Sequence, residues 1–210
     1  MLTDWYNIHI FAEQFIKMAG RPKIFNENDV LNKAINIFWT NGYEATSTDN
    51  LLTAMDINRG SLYHSFGSKK ELFVKSLDFF TSSSIKMIEA KIKEAKNPIE
   101  GIKQFFIDLS LASVTDHNKG CFMGNTLTEI TNIDEELKAK AIKNLTALEN
   151  VFYKYINEAK ENNQLETKED SIVLARYLIN LWNGINLTRR MYANKETLEP
   201  IIRLQLSVLK

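Results

Sequence analysis

Between Ile57 and Lys70 the chain carries Arg59, Ser61, Tyr63, His64, Lys69 and Lys70 and not one acid. These side chains donate hydrogen bonds from arms of different length, and three of them are permanent cations. Such a set suits phosphate oxygens and base edges. Gly60 adds a position with no side chain, where backbone can approach a groove wall closely. Other chemistry is poorly supplied. His9, His64, His117 and Cys121 have no metal-ligand spacing, and no phosphate-cradling glycine loop is present. No nucleophile, base and acid can be picked out as a set, so neither enzyme activity nor a cofactor or metal is expected.

The chain as a whole must be able to hold such a stretch still. It has 210 residues with 26 basic and 26 acidic side chains, a net charge of zero. That balance argues against coating nucleic acid by bulk attraction and leaves local recognition open. Apolar and charged fractions of 44% and 25% exclude low-complexity and disordered classes. Only eight glycines and three prolines interrupt a sequence rich in helix formers, so the fold is expected to be all-α. The single cysteine fits a reducing cytoplasm, and no apolar run is long enough to suggest a membrane partner.

Cap signals divide the chain. Asn26 starts a first helix with the stripe Val30, Leu31, Ala34, Ile35 and Phe38, and Asn41-Gly42 stops it. Thr46, Ser47 and Thr48 offer caps for a short second helix. Asp56-Ile57 is a tight turn, and Asn58 caps a third helix whose Leu62 and Phe66 face inward. Ser68 opens a long helix to about residue 95, and Asn97-Pro98 opens the next. Residues 115–121 read as a loop, followed by helices over 122–130, from Asp134 to about 159, over 168–192 and over 197–209, about nine in all.

Three short helices with a tight turn before the third form a helix-turn-helix pattern. Here Asn41-Gly42-Tyr43-Glu44-Ala45-Thr46-Ser47-Thr48, Ile57-Asn58-Arg59-Gly60-Ser61-Leu62-Tyr63-His64-Ser65-Phe66 and Lys69-Lys70-Glu71-Leu72-Phe73 closely resemble the TetR family of transcriptional regulators. The match runs over about residues 28–75. It departs from the family at Asp56, where glycine is usual, and aspartate tolerates the left-handed turn.

The resemblance implies a ligand-responsive, dimeric repressor that binds a near-palindromic double-stranded operator and is released by a small-molecule effector. An activator of the same fold, or a helical ligand-binding module without DNA recognition, is the alternative. By resemblance, Tyr63, Lys69 and Thr48 touch the DNA backbone, and Arg59, Ser61 and His64 help choose bases. Thr46, Asn58 and Gly60 complete the expected DNA-facing set. Arg21 and Lys23 form a basic arm after Met18, which resembles the usual start of such a chain. Residues 1–17 then form an extra segment, from an upstream start or as an added helix. Residues 18–67 are the DNA-binding domain, and 68–210 the regulatory and dimerisation domain.

Within 68–210 the resemblance implies an effector pocket. Phe105, Phe106, Leu109, Phe122, Met123, Phe152 and Trp182 supply apolar lining, and Asn125 and Thr126 supply polar groups. Cys121 reads as a buried structural thiol rather than a redox sensor. The helix over 168–192 is apolar nearly all round, so a second subunit is expected to cover one face. Leu178, Leu181, Ile185, Ile201, Ile202 and Leu206 are the expected dimer contacts.

Overall fold

The computed structural model describes residues 25–210, and among these every regular element is helical. Helix α1 (Glu27–Asn41) is capped by Asn26, whose side chain accepts the amide of Asn28. Helix α2 (Thr48–Met55) starts in a reciprocal cap, with Ser47 and Asn50 accepting each other's backbone amides. It ends at Asp56, at φ 56° and ψ 47°, the left-handed turn the departure from glycine has to allow. Asn58 caps α3 (Arg59–Phe66), and Ser68 caps the 26-residue α4 (Lys69–Glu94).

These four helices share one core. Leu62 and Phe66 of α3 pack with Phe38 and Leu51 against Leu72, Phe73 and Leu77 of α4. Fully burying a Leu or Phe side chain is worth about 1.5–3 kcal/mol. Two on one face of an eight-residue helix therefore fix its rotation and leave the opposite face outward. Phe122, Ile130 and Leu137, distant in sequence, join the same cluster. The unit of three short helices is thus packed directly on the rest of the chain.

Beyond α4 come α5 (Pro98–Asp108), α6 (Val114–Lys119), α7 (Phe122–Ile130), α8 (Glu135–Glu161), α9 (Ser171–Thr188) and α10 (Lys195–Gln205). Single 3-10 turns follow α5 at Leu109–Leu111 and α10 at Leu206–Val208. Helix α8 packs against both α9 and α7, and α4 packs against α5. The second core gathers Ile102, Phe106, Leu148, Phe152, Ile156 and Leu178 among others. Lys91 and Asp108 pair between α4 and α5.

Three expectations need correction. Residues 114–119 form a helix, not a loop: Ser113 caps it by accepting the amide of Asp116, and it buries His117. The helix expected over 168–192 spans Ser171–Thr188, and the last one starts earlier, at Lys195 under an Asn194 cap. Leu178, Leu181, Ile185, Ile202 and Leu206 are buried in the protomer's own core, so they have no side-chain surface to offer a partner. Of the expected dimer contacts only Ile201 is exposed. The outward side of α9 instead carries Val173, Leu187 and, just past its end, Met191.

Candidate functional site

Helix α3 is the exposed tip of the molecule's first core. Asn58 accepts the amide of Ser61 at 2.8 Å, which closes the first turn and sets the helix axis. With Leu62 and Phe66 inward, Arg59, Gly60, Tyr63 and His64 are exposed together, and Tyr63 keeps 50% of its surface. Ser61 is half-buried beside them. At the N-terminus of α2, Thr48 is half-buried in the first turn, where free amides favour an anion. Lys69 arches over the Tyr43 ring, its Nζ 4.4 Å from the centroid, so a cation stands at the start of α4. Arg21 and Lys23 lie outside the described residues.

Thr46 turns away from the expected set, and two of the nearby cations are already paired. Thr46 is fully buried, and its Oγ1 donates to the Gly42 carbonyl at 2.6 Å, so that hydroxyl braces the α1–α2 loop rather than meeting DNA. Lys70 is bound by Asp134 at 2.8 Å and Glu136 at 2.7 Å. Hydrogen bonding to Asp134, then to Glu136, holds its ammonium well above the usual lysine range. The same contact, together with the Leu137 amide, holds Asp134 below the usual carboxylate range. Arg59 pairs with Asp49 at 2.6 Å. Of the three cations between Ile57 and Lys70, Lys69 alone has no carboxylate partner among the described residues. The acid-free stretch in sequence is therefore nearly neutralised in space.

A cavity of about 370 Å³ lies where α4 meets both cores. Phe105, Phe122, Met123 and Trp182 line it. Phe106 and Phe152 are sealed in the second core, and Leu109 packs on that core instead. Thr126 is buried and donates to Phe122 O, while Asn125 bridges Lys119 O and Arg190. Both line a separate groove along α7 rather than this cavity. The sequence reading missed Trp39 and Ile35 of α1, Phe79, Phe80 and Ile85 of α4, and Asn186 and Arg189 at the end of α9. An adjacent Phe79-Phe80 pair in a helix with a largely polar surface was the available signal. Cys121 also borders the cavity, accepting from the Gly124 amide at 3.3 Å and from Trp182 Nε1 at 3.2 Å. Burial pushes its thiol up, which disfavours the thiolate.

Cavity and reading head are joined by more than α4. Trp39 donates to Lys119 O at 3.1 Å and packs on Phe80 and Phe122. At the far end of α7, Glu129 accepts the amides of Tyr43 at 3.0 Å and Glu44 at 2.9 Å. That carboxylate clasps the loop between α1 and α2. Gly42 sits at φ 83° and ψ 172°, and a Cβ there would come within 2.8 Å of Glu129 Oε2. The loop therefore requires glycine for its backbone and for the clasp.

Known proteins are similar to this chain in sequence and in fold. Residues 30–75 match the model for bacterial regulatory proteins of the tetR family, and 102–204 match the tetracyclin repressor-like C-terminal domain. The Bacillus subtilis transcriptional regulator YezE is 28% identical over 192 residues, 90% of this chain and 99% of its own. Escherichia coli ComR is 28% identical over 188 residues, covering 88% and 89%. Among solved structures, reduced Escherichia coli NemR superposes with a TM-score of 0.76 at 19% identity, covering 87% of this chain and 96% of that one. CifR bound to operator DNA gives 0.76 at 23%, covering 90% and 100%. With an exposed recognition helix, a matching helical body and both family models accounted for, the chain belongs to the tetR family of DNA-binding transcriptional regulators.

Proposed function

We propose that the chain is a dimeric repressor that holds a near-palindromic operator through α3 and releases it when a small molecule occupies the cavity. The observation that carries this reading is the exposed set Arg59, Gly60, Tyr63 and His64, backed by a core that continues to the cavity wall. ComR is named a repressor, and CifR is bound to a 26-base-pair operator. No described helix is long and apolar enough to cross a membrane.

Dimerisation is assigned to the outward side of α9. Val173, Leu187 and Met191 lie on that side with Gly184, which has open space at its Cβ position. The stripe allows a second copy to approach closely about a two-fold axis. Two reading helices then reach successive major grooves, about 34–36 Å apart. Because Ile35 and Trp39 of α1 share the cavity wall with α4, an occupant displaces both supports of the reading head at once. Residues 18–67 act as the DNA-binding part and 68–210 as the regulatory part.

A gel shift with the chain's own upstream DNA at several salt concentrations tests this reading. A specific band that Tyr63→Ala weakens is expected. The absence of a specific band at every salt would leave a helical ligand-binding module without DNA recognition.

A further inference from the structure

We infer that the cavity binds a small apolar carboxylate, an aromatic ring or short alkyl chain whose acid group is held by Arg189. This rests on the effector reading above and specifies its chemistry. The wall is overwhelmingly apolar, with Ile35, Phe80, Phe105, Phe122 and Trp182 around the space. Arg189 breaks that pattern. It is only 6% exposed, and its Nη2 donates to Gly120 O at 2.9 Å. Its Nε is buried without a partner. Arg59, Arg176 and Arg203 each pair with a carboxylate, whereas Arg189 and Arg190 have none among the described residues, and of these two only Arg189 is buried.

A buried guanidinium without a counter-charge is costly, and folding tolerates it where a ligand anion completes the site. Burial pulls the Arg189 pKa down, and Cys121, then Asp116, offset this only in part. One turn earlier on the same wall, Asn186 gives its Nδ2 to Trp182 O and leaves a buried Oδ1 unpartnered. The two orphaned polar atoms therefore lie one turn apart at the C-terminal end of α9, and aromatic rings cover the rest of the space. A cavity of roughly 150 Å³ accepts benzene. The 370 Å³ here has room for a ring with a short acidic side chain.

Wild-type protein is titrated with benzoate, 3-phenylpropionate and octanoate, and with the matching amides. Binding is followed by calorimetry and by tryptophan fluorescence, since Trp39 and Trp182 line the cavity. At least one acid should bind at least about tenfold more tightly than its amide, as a charge-assisted pair requires. That acid should also dissociate the upstream DNA. Arg189→Gln should erase the preference for acid over amide. Because Arg189 also holds the Gly120 carbonyl, the acid-to-amide ratio of the wild type is the deciding measurement whether or not the variant folds. Amides binding as tightly as acids would overturn the inference and leave a small-molecule-responsive repressor standing. Failure of every acid to bind would also overturn it. Ligand-free DNA binding is read in the same titration, and its absence counts against the repressor reading alone.

Discussion

Glu129 gives the sharpest test of how the regulatory body holds the reading head. Its carboxylate accepts two amides of the α1–α2 loop, from Tyr43 and Glu44. A hydrogen bond to a charged group contributes about 1.5–3 kcal/mol. The Glu44 end is exposed and the Tyr43 end half-buried, so water replaces part of what is lost. Glu129→Ala should therefore destabilise the protein by roughly 2 kcal/mol in total, and Glu129→Gln by less. Gly42→Ala carries two penalties, a strained backbone at φ 83° of about 1–3 kcal/mol and displacement of the same carboxylate. In the Glu129→Ala background only the strain remains. Urea denaturation of both single variants and the double variant should show a double-mutant loss smaller than the sum by more than about 0.5 kcal/mol. Additive losses, or an Glu129→Ala protein as stable as wild type, would mean that the clasp does not hold the loop.

Further outcomes follow from the same geometry. Asp49→Asn frees Arg59 and removes a negative charge beside the DNA face, so specific DNA affinity measured by anisotropy should rise a few-fold, with a steeper dependence on salt. Leu187→Glu on the outward side of α9 should shift the protein toward monomer in analytical ultracentrifugation, while Leu204→Glu on α10, also exposed, should not. His117 is buried with Nδ1 unpartnered, and burial, then Arg189, holds its pKa below the usual histidine value. The unfolded chain takes up that proton more readily, so the contribution to stability is full above about pH 6.5 and declines as pH falls below it. Denaturation midpoints at pH 7.5 and 5.5 should differ less in His117→Gln than in wild type.

The reading unit was legible because its determinants are local. Asn26, Ser47, Asn58 and Ser68 cap the helices that follow them, and Leu62 with Phe66 sets one rotation. Features that depend on distant partners were not legible. Nothing near Lys70 in sequence announces Asp134 and Glu136, and nothing in α3 announces Asp49. Thr46 looked like a cap, yet its hydroxyl folds back onto Gly42. The polar run after Ser113 hid a helical turn whose one buried side chain is His117. On α9 apolar residues point both ways, so composition could not tell the inner row of Leu178, Leu181 and Ile185 from the outer one. The cavity wall depends on distant partners too: Phe79, Phe80 and Trp39 join the aromatic residues of α5, α7 and α9 only through packing.

The central claim is that α3 reads a two-fold-symmetric DNA site with little help from bulk charge. Selection of bound duplexes from a random DNA library tests it most directly. The account predicts enrichment of one inverted repeat with half-sites about one helical turn apart, retained at moderate salt and lost with Tyr63→Ala. Recovery of unrelated sequences, or of DNA held only at low salt, would contradict it.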